Sequence, residues 1–329
     1  MKRCFIHAGI HKTGSTAIQH ALGRERELMG KLGVYVPRAG MAAPEVAAHH
    51  HLAFEINDPK RFNPAMGGMM DLVAELRDQQ PRQVVISTEA LSWTALDPGR
   101  IGRFRGPLLE LGYELIWIVY VRTFPDWAES AYTQLAKTLS VTRPFAEWVR
   151  DATKPLVLGM EPHRVPDGIR STGDSLQLRS YSMALPDLIG DFMDVLGVGG
   201  HFPSAQISGQ RVNLRPQVLK MEFLRRAAIR AAAIRKPGVR QAFVQKALRL
   251  LPGVPPSPPY RGLSQSLALS LLEATRPQYE DLLAKYRPDL HFDIFFPLAE
   301  NYRELHFDNY DCPRKDRIDL EGLLTQLGA

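Results

Sequence analysis

The sequence predicts an α/β fold of three layers: a parallel central sheet, helices on both of its faces, and a helical C-terminal extension. Three observations lead there. The first 137 residues alternate strand-like and helix-like stretches, as crossover connections between parallel strands require. The strand-like stretches are short apolar runs of the kind that strands buried on both faces carry. The first of them passes directly into a glycine-containing loop and then into a helical pattern, the setting that a phosphate-binding loop needs.

Taken in order, CFIHA (4 to 8) is read as a buried strand. From Ser15 the apolar residues Ile18, Leu22, Met29 and Leu32 share one helical face, with Gly33 placed to end that helix. VYV (34 to 36) is a second strand and QVVIST (83 to 88) a third, followed at once by Glu89. LIWIVYV (115 to 121) is the longest strongly apolar run, of strand length; it ends at Arg122, before Pro125 opens a helix to Lys137. LQLRSY (176 to 181) is a further strand, with a helix from Pro186 to Leu196. Helices are expected over 214 to 235 and 264 to 286, separated by the proline-rich, extended LPGVPPSPPYRG (251 to 262). Residues 38 to 82 read as irregular loop with one helix near 69 to 78, and 138 to 172 carry no recognisable signal. There is no internal repeat. The division expected is a core over 1–219 and a helical extension over 220–329 packed on the same domain.

Apolar residues make up 45% of the 329, enough for a substantial core. Cys4 and Cys312 are too few for a disulfide framework and too isolated for a zinc site, which points to a reducing compartment. The opening MKRCFIHAGIHK is basic, but its apolar stretch is too short for a signal peptide or a membrane span, so a cytoplasmic location is expected. The formal charge of +6 is concentrated: between Lys220 and Arg249 nine basic residues face the single Glu222, while the rest of the chain is slightly acidic. This segment is a solvated helical face on one reading. On another it captures an anionic polysaccharide or phospholipid headgroup as an amphipathic lid. Nucleic acid is set aside, since no binding motif and little aromatic interleaving accompany the charge.

HAGIHKTGST (7 to 16) has the glycine separation of a nucleoside triphosphate loop, with Gly9 and Gly14, but Ser15 stands in the lysine slot and the lysine is Lys12. Backbone amides at a helix start still favour phosphate or sulfate. No strand ends in the aspartate that holds magnesium in triphosphatases; the LIWIVYV strand ends in Arg122.

HKTGSTAIQ resembles the phosphosulfate loop of sulfotransferases that use 3′-phosphoadenosine 5′-phosphosulfate (PAPS), especially the P-K-T-G-T-T form of heparan-type and bacterial members. IVYVRTFPDWAESAYTQL (118 to 135) is similar to that family's 3′-phosphate segment, an arginine at a strand end and a serine eight residues on. The resemblance covers roughly residues 3 to 219, with gaps. It implies PAPS binding by Lys12, Thr13, Gly14, Ser15 and Thr16, with Arg122 and Ser130 on the 3′-phosphate. LRSYSMALPDLIGDFMDVLGV (178 to 198) resembles the family's segment that brings a tyrosine to the adenine, which marks Tyr181; SGQRVNLRPQVL (208 to 219) resembles a later basic contact and marks Arg211. Ser15 replaces a usual threonine, Ala17 stands where cytosolic members carry an aromatic, and their R-K-G signature is absent. The match therefore leans to the heparan-type and bacterial branch.

The activity implied is in-line, metal-independent transfer of a sulfuryl group to a hydroxyl or amine of a carbohydrate, lipid or small-molecule acceptor, leaving 3′,5′-bisphosphoadenosine. Lys12 would stand at the leaving oxygen. Glu89, directly after a strand and at the edge where the loop lies, is the candidate base, as a glutamate of this region is in the heparan-type branch. Three adjacent histidines, 49 to 51, cannot easily face one ion, and no ligand cluster recurs nearby, so no metal is expected. They are read as a polar loop lining the acceptor cleft, with His50 or His51 an alternative base; His11 is expected to touch the loop or the sulfate. A kinase-like phosphate-loop enzyme and a non-catalytic anion-binding module are the alternatives.

Overall fold

A computed structural model describes residues 1–10, 12–151, 161–202, 216–297 and 314–327. The chain forms two compact units, one of Met1–Thr123, Leu158–Val212 and Arg276–Leu298, the other of Phe124–Val157, Asn213–Thr275 and Ala299–Ala329. The cut expected after residue 219 does not match this division, because each unit draws on three separate stretches of chain.

The first unit is a five-stranded, all-parallel sheet flanked by helices, in the order β2-β3-β1-β4-β5. The strands are β1 (Lys2–His7), β2 (Val34–Tyr35), β3 (Gln83–Ser87), β4 (Tyr113–Val121) and β5 (Ser175–Ser180). β1 lies at the centre, with Cys4, Phe5, Ile6 and His7 opposite Val84, Val85, Ile86 and Ser87 of β3 and opposite Leu115, Ile116, Trp117 and Ile118 of β4. Its apolar residues are buried on both faces, which is why the run does not alternate. On one face Phe5, Val85, Ile118 and Tyr120 pack with Ile18 and Leu22 of α1 (Ser15–Arg24) and with Phe192 of the helix Leu188–Val195. Phe104 of the helix Pro98–Glu110 meets Trp117 at 5.8 Å between ring centroids.

Several elements differ from expectation. The helix expected from Ser15 to Gly33 is two, α1 and α2 (Arg26–Lys31), because Glu25 leaves helical geometry at φ −94°, ψ 13°. The helix expected from Pro186 restarts at Leu188, since the Asp187 carboxylate accepts from Gly190 N at 2.9 Å and caps a new first turn. Tyr181 is not the last strand residue; it opens the short helix Tyr181–Ala184, capped by Ser180 Oγ at 3.2 Å from Met183 N. Within 38 to 82 a second helix, α3 (His50–Asn57), accompanies α4 (Met69–Gln79). Glu75 of α4 fixes the stretch before α3, accepting from Tyr35 Oη at 2.7 Å, Arg38 N at 2.8 Å and Ala39 N at 2.9 Å.

In the second unit the helices include Phe124–Lys137, Val218–Ala233, Pro237–Leu250 and Arg314–Gln326. The proline-rich stretch begins as a 3₁₀ turn, Leu251–Gly253, and is extended only beyond it: Val218 N donates to Pro258 O at 2.9 Å and Tyr260 N to Pro216 O at 2.7 Å. Glu129, 6% exposed, accepts from Gly262 N at 2.7 Å and pins that stretch. The basic segment is thus two helices where one was expected. Arg225 and Arg226 pair with Glu222, whereas Arg235, Lys236 and Arg240 are exposed around the turn between the helices. Among the described residues no helix is long and apolar enough to cross a membrane.

Candidate functional site

Because the sheet is parallel, the residues that follow its strands collect at one edge, outside the strand carboxyl ends where α/β proteins bind ligands. Four candidate groups lie there on neighbouring strands: Glu89 after β3, the 7–16 loop after β1, Arg122 after β4 and Tyr181 after β5.

The loop turns through left-handed backbone twice, at Lys12 (φ 78°) and Gly14 (φ 83°). Gly14 then precedes α1 and, having no side chain, offers no cap, so amides of the first turn remain for a ligand. A Cβ on Gly14 would stand 2.3 Å from Leu188 Cδ2 and 3.1 Å from Tyr181 Cε2, which shows how closely Tyr181 and the helix after β5 approach the loop. That helix is held by Asp191, which accepts from Tyr120 Oη at 2.6 Å and from Arg179 Nε at 3.2 Å. Arg122 reaches the loop as well. Its Nη1 donates to Lys12 O at 3.3 Å, and its guanidinium carbon lies 5.1 Å from the Tyr181 ring centroid. The Arg122 carbonyl accepts from the buried Tyr279 Oη at 2.8 Å.

The loop hydroxyls divide. Thr13 is fully buried and its Oγ1 donates to Ile10 O at 2.7 Å, so it braces the turn. Thr16 is exposed. Ser15 is 6% exposed, and its Oγ has no hydrogen-bond partner among the described residues. The same holds for Nε2 of the fully buried His7, whose Nδ1 lies 2.8 Å from Ser87 Oγ. Buried polar atoms without partners are a small minority in a folded protein, and two that fall at one loop suit a polar ligand. Burial lowers the His7 pKa to about 4, against a smaller raising effect of Glu89, so the imidazole is neutral at pH 7.

Glu89 is half-buried and its Oε2 accepts from Gln19 Nε2 at 2.9 Å, which ties it to α1 one turn beyond Ser15. Its carbonyl accepts from Ser92 N at 3.1 Å and starts the next turn. The three histidines are not one polar loop. His49 is buried between strands, with Nδ1 accepting from Ser87 N at 3.1 Å and Nε2 at 3.0 Å from Pro37 O; burial lowers its pKa to about 4. His51 is buried, accepts from Asn63 N at 3.1 Å and packs on Phe54 and Phe62. Only His50 is half-buried beside the site, its Nδ1 at 2.7 Å from Thr88 Oγ1.

Of the residues singled out from the sequence, Lys12, Gly14, Arg122 and Tyr181 are thus drawn together, with Ser15 in the same loop and Glu89 bound to its helix. Ser130 belongs to the second unit, half-buried on the helix Phe124–Lys137, where its carbonyl accepts from Thr133 Oγ1 at 2.9 Å. Arg211, His11 and Cys312 lie outside the described residues. Sequence reasoning did not single out His7 or Gln19, although both carried a signal: His7 ends the strand that feeds the loop, and Gln19 is one helical turn past Ser15. Cavities of about 370 Å³, beside Arg3 and Arg179, and about 550 Å³, beside Arg276 and His291, lie among other residues.

Fold and site together define an α/β protein with a candidate anion site at the carboxyl edge of a parallel sheet. No family model, curated protein or solved structure matches the chain.

Proposed function

We propose that the protein transfers the sulfuryl group of PAPS to a hydroxyl or amine of a carbohydrate, lipid or small-molecule acceptor. The observation that carries the reading is the meeting of Arg122, Lys12 and Tyr181 at a loop whose Ser15 hydroxyl is buried without a partner among the described residues. In this reading the loop amides and Ser15 hold the 5′-phosphosulfate, Arg122 serves the 3′-phosphate as a forked permanent cation, and Tyr181 serves the adenine. Ser130 and Arg211 enter through the resemblance alone. The acceptor oxygen or nitrogen attacks sulfur, the sulfur–oxygen bond to the nucleotide breaks, and the acceptor proton passes to the Glu89 carboxylate. Lys12 stabilises the negative charge that develops on the departing phosphate oxygen of 3′,5′-bisphosphoadenosine. Exposed Arg235, Lys236 and Arg240, taken by themselves, suit an anionic surface such as a lipid headgroup.

Calorimetry with 3′,5′-bisphosphoadenosine in the presence of a chelator tests the nucleotide half of the reading. Binding without magnesium is expected, weakened at least about tenfold by Lys12→Ala or Arg122→Ala. Glu89→Gln should keep that binding and lose turnover with labelled PAPS over an acceptor panel. Magnesium-dependent ATP binding, with none for the bisphosphate, refutes sulfuryl transfer in favour of a kinase-like enzyme; donor binding without transfer to any acceptor favours a binding module.

A further inference from the structure

We infer that His7 is a binding residue of the anion site, its Nε2 sharing one oxygen of a bound phosphate or sulfate ester with Ser15 Oγ. The inference rests on the anion-binding part of the function proposed above, not on the identity of the group transferred.

His7 is the last residue of the central strand, and its side chain points to the face that α1 covers. Ring contacts with Tyr120 at 5.9 Å and Phe192 at 5.4 Å hold the imidazole edge-on, while Ser87, its register partner on β3, takes Nδ1 at 2.8 Å. Those contacts leave Nε2 directed at Gly9. The point where a Gly9 Cβ would stand is 3.0 Å from His7 Nε2, 3.0 Å from Thr13 Oγ1 and 3.5 Å from Ser15 Oγ. Three polar side-chain atoms from the strand, the loop and the first turn of α1 therefore converge on the one loop residue that brings no side chain between them. Thr13 has committed its hydroxyl hydrogen to Ile10 O. The other two, both more than nine-tenths buried, have no partner among the described residues.

A ligand oxygen supplies what both atoms lack, at a helix start that already favours an anion. If the Ser87 hydroxyl donates to Nδ1, the single imidazole proton resides on Nε2 and faces that oxygen, and Ser15 donates from the other side. Burial keeps the ring neutral, so it contributes a directed hydrogen bond and leaves charge neutralisation to Lys12 and Arg122.

Two substitutions separate the roles of the two ring nitrogens. His7→Gln can place an amide N–H near Nε2; His7→Asn reaches only the Nδ1 position and keeps the Ser87 contact. Inorganic pyrophosphate is the probe, read by calorimetry and by imidazole ¹⁵N resonances of the full chain. The Nε2-protonated neutral tautomer is expected, with its Nε2 resonance moving on titration. Pyrophosphate affinity should fall at least about tenfold in His7→Asn and stay within about threefold of wild type in His7→Gln. An Nε2 resonance unmoved at saturating pyrophosphate, a His7→Asn variant that binds as wild type does, or a wild type with no pyrophosphate affinity each overturns the inference. Should His7→Asn fail to fold, the wild-type resonance decides. Pyrophosphate binding that moves Nε2 alongside no affinity for 3′,5′-bisphosphoadenosine upholds the role of His7 and overturns the nucleotide assignment.

Discussion

Acidification below pH 6.5 should loosen the central sheet, because one buried neutral histidine, His7, ends its central strand and another, His49, hydrogen-bonds Ser87 at the end of β3. His7 and His49 both have pKa values lowered by burial to about 4, against an ordinary value of 6.5 that the unfolded chain regains. The folded state therefore binds fewer protons than the unfolded state between those values. The stabilisation is complete above pH 6.5 and is lost as pH falls toward 4. Each histidine contributes up to about 1.4 kcal/mol per pH unit in that window, so the pair removes on the order of 3 kcal/mol between pH 6.5 and 5. Burial lowers His51 in the same direction. Carboxylates with lowered values, Asp167 and Glu222, act at lower pH and leave this window to the histidines. Hydrogen exchange of peptides covering β1 and β3, corrected for intrinsic rates, reads the opening free energy of the strand that carries His7 and of the strand whose Ser87 N donates to His49. His7→Gln should remove about half of the pH dependence. An opening free energy that stays flat from pH 6.5 to 5 refutes the account and means that the fold lowers the pKa of neither ring.

Two substitutions test the framework around the site. Gly14→Ala places an L-residue at φ 83° and drives a methyl into Leu188, for an expected loss of about 2 kcal/mol in denaturant melts and weaker anion binding; adding Leu188→Ala should return only the steric share. Asp174→Ala strands the Arg105 guanidinium, which donates to Asp174 at 2.6 and 3.1 Å, and Trp117 Nε1, which donates at 2.9 Å. A loss of about 3–5 kcal/mol is expected on melting, and one below about 1 kcal/mol means that water replaces the carboxylate.

The sheet was legible because its signals are local. CFIH, QVVIS and YELIWIVYV are apolar over strand length, and no helical periodicity competes with them. Elements that tertiary packing imposes on unfavourable sequence were not. The helix Pro98–Glu110 contains Gly99, Gly102, Gly106 and Pro107, all poor helix formers. It forms because Asp97 caps Arg100 N at 2.9 Å and because Ile101, Phe104 and Leu108 bury one face. α3 was hidden by its own histidines, which suggest a polar loop until Leu52, Ala53 and Ile56 are seen buried. The division into units was hidden for a different reason: it depends on which distant stretches pack together, and composition changes at residue 220 without any change of unit there.

At the site, residue types were legible and backbone geometry was not. The displacement of the loop lysine to position 12 could be read from spacing, and so could the arginine at the end of β4. Nothing in HKTGST asks for a left-handed lysine, since a side chain there costs about 1–3 kcal/mol and the motif already has Gly14 for such a turn. The conformation is fixed by residues far along the chain: Arg122, 110 positions away, takes the Lys12 carbonyl, and Tyr279 holds the Arg122 backbone in turn. Strain of this kind is retained when the surrounding structure over-determines it. Here it stands two residues before Gly14 and three before the start of α1 at Ser15, in the loop whose Gly9 lies against the His7 ring. The loop is therefore shaped from β4 as much as from its own sequence, and Arg122→Ala should relax Lys12 as well as remove a cation.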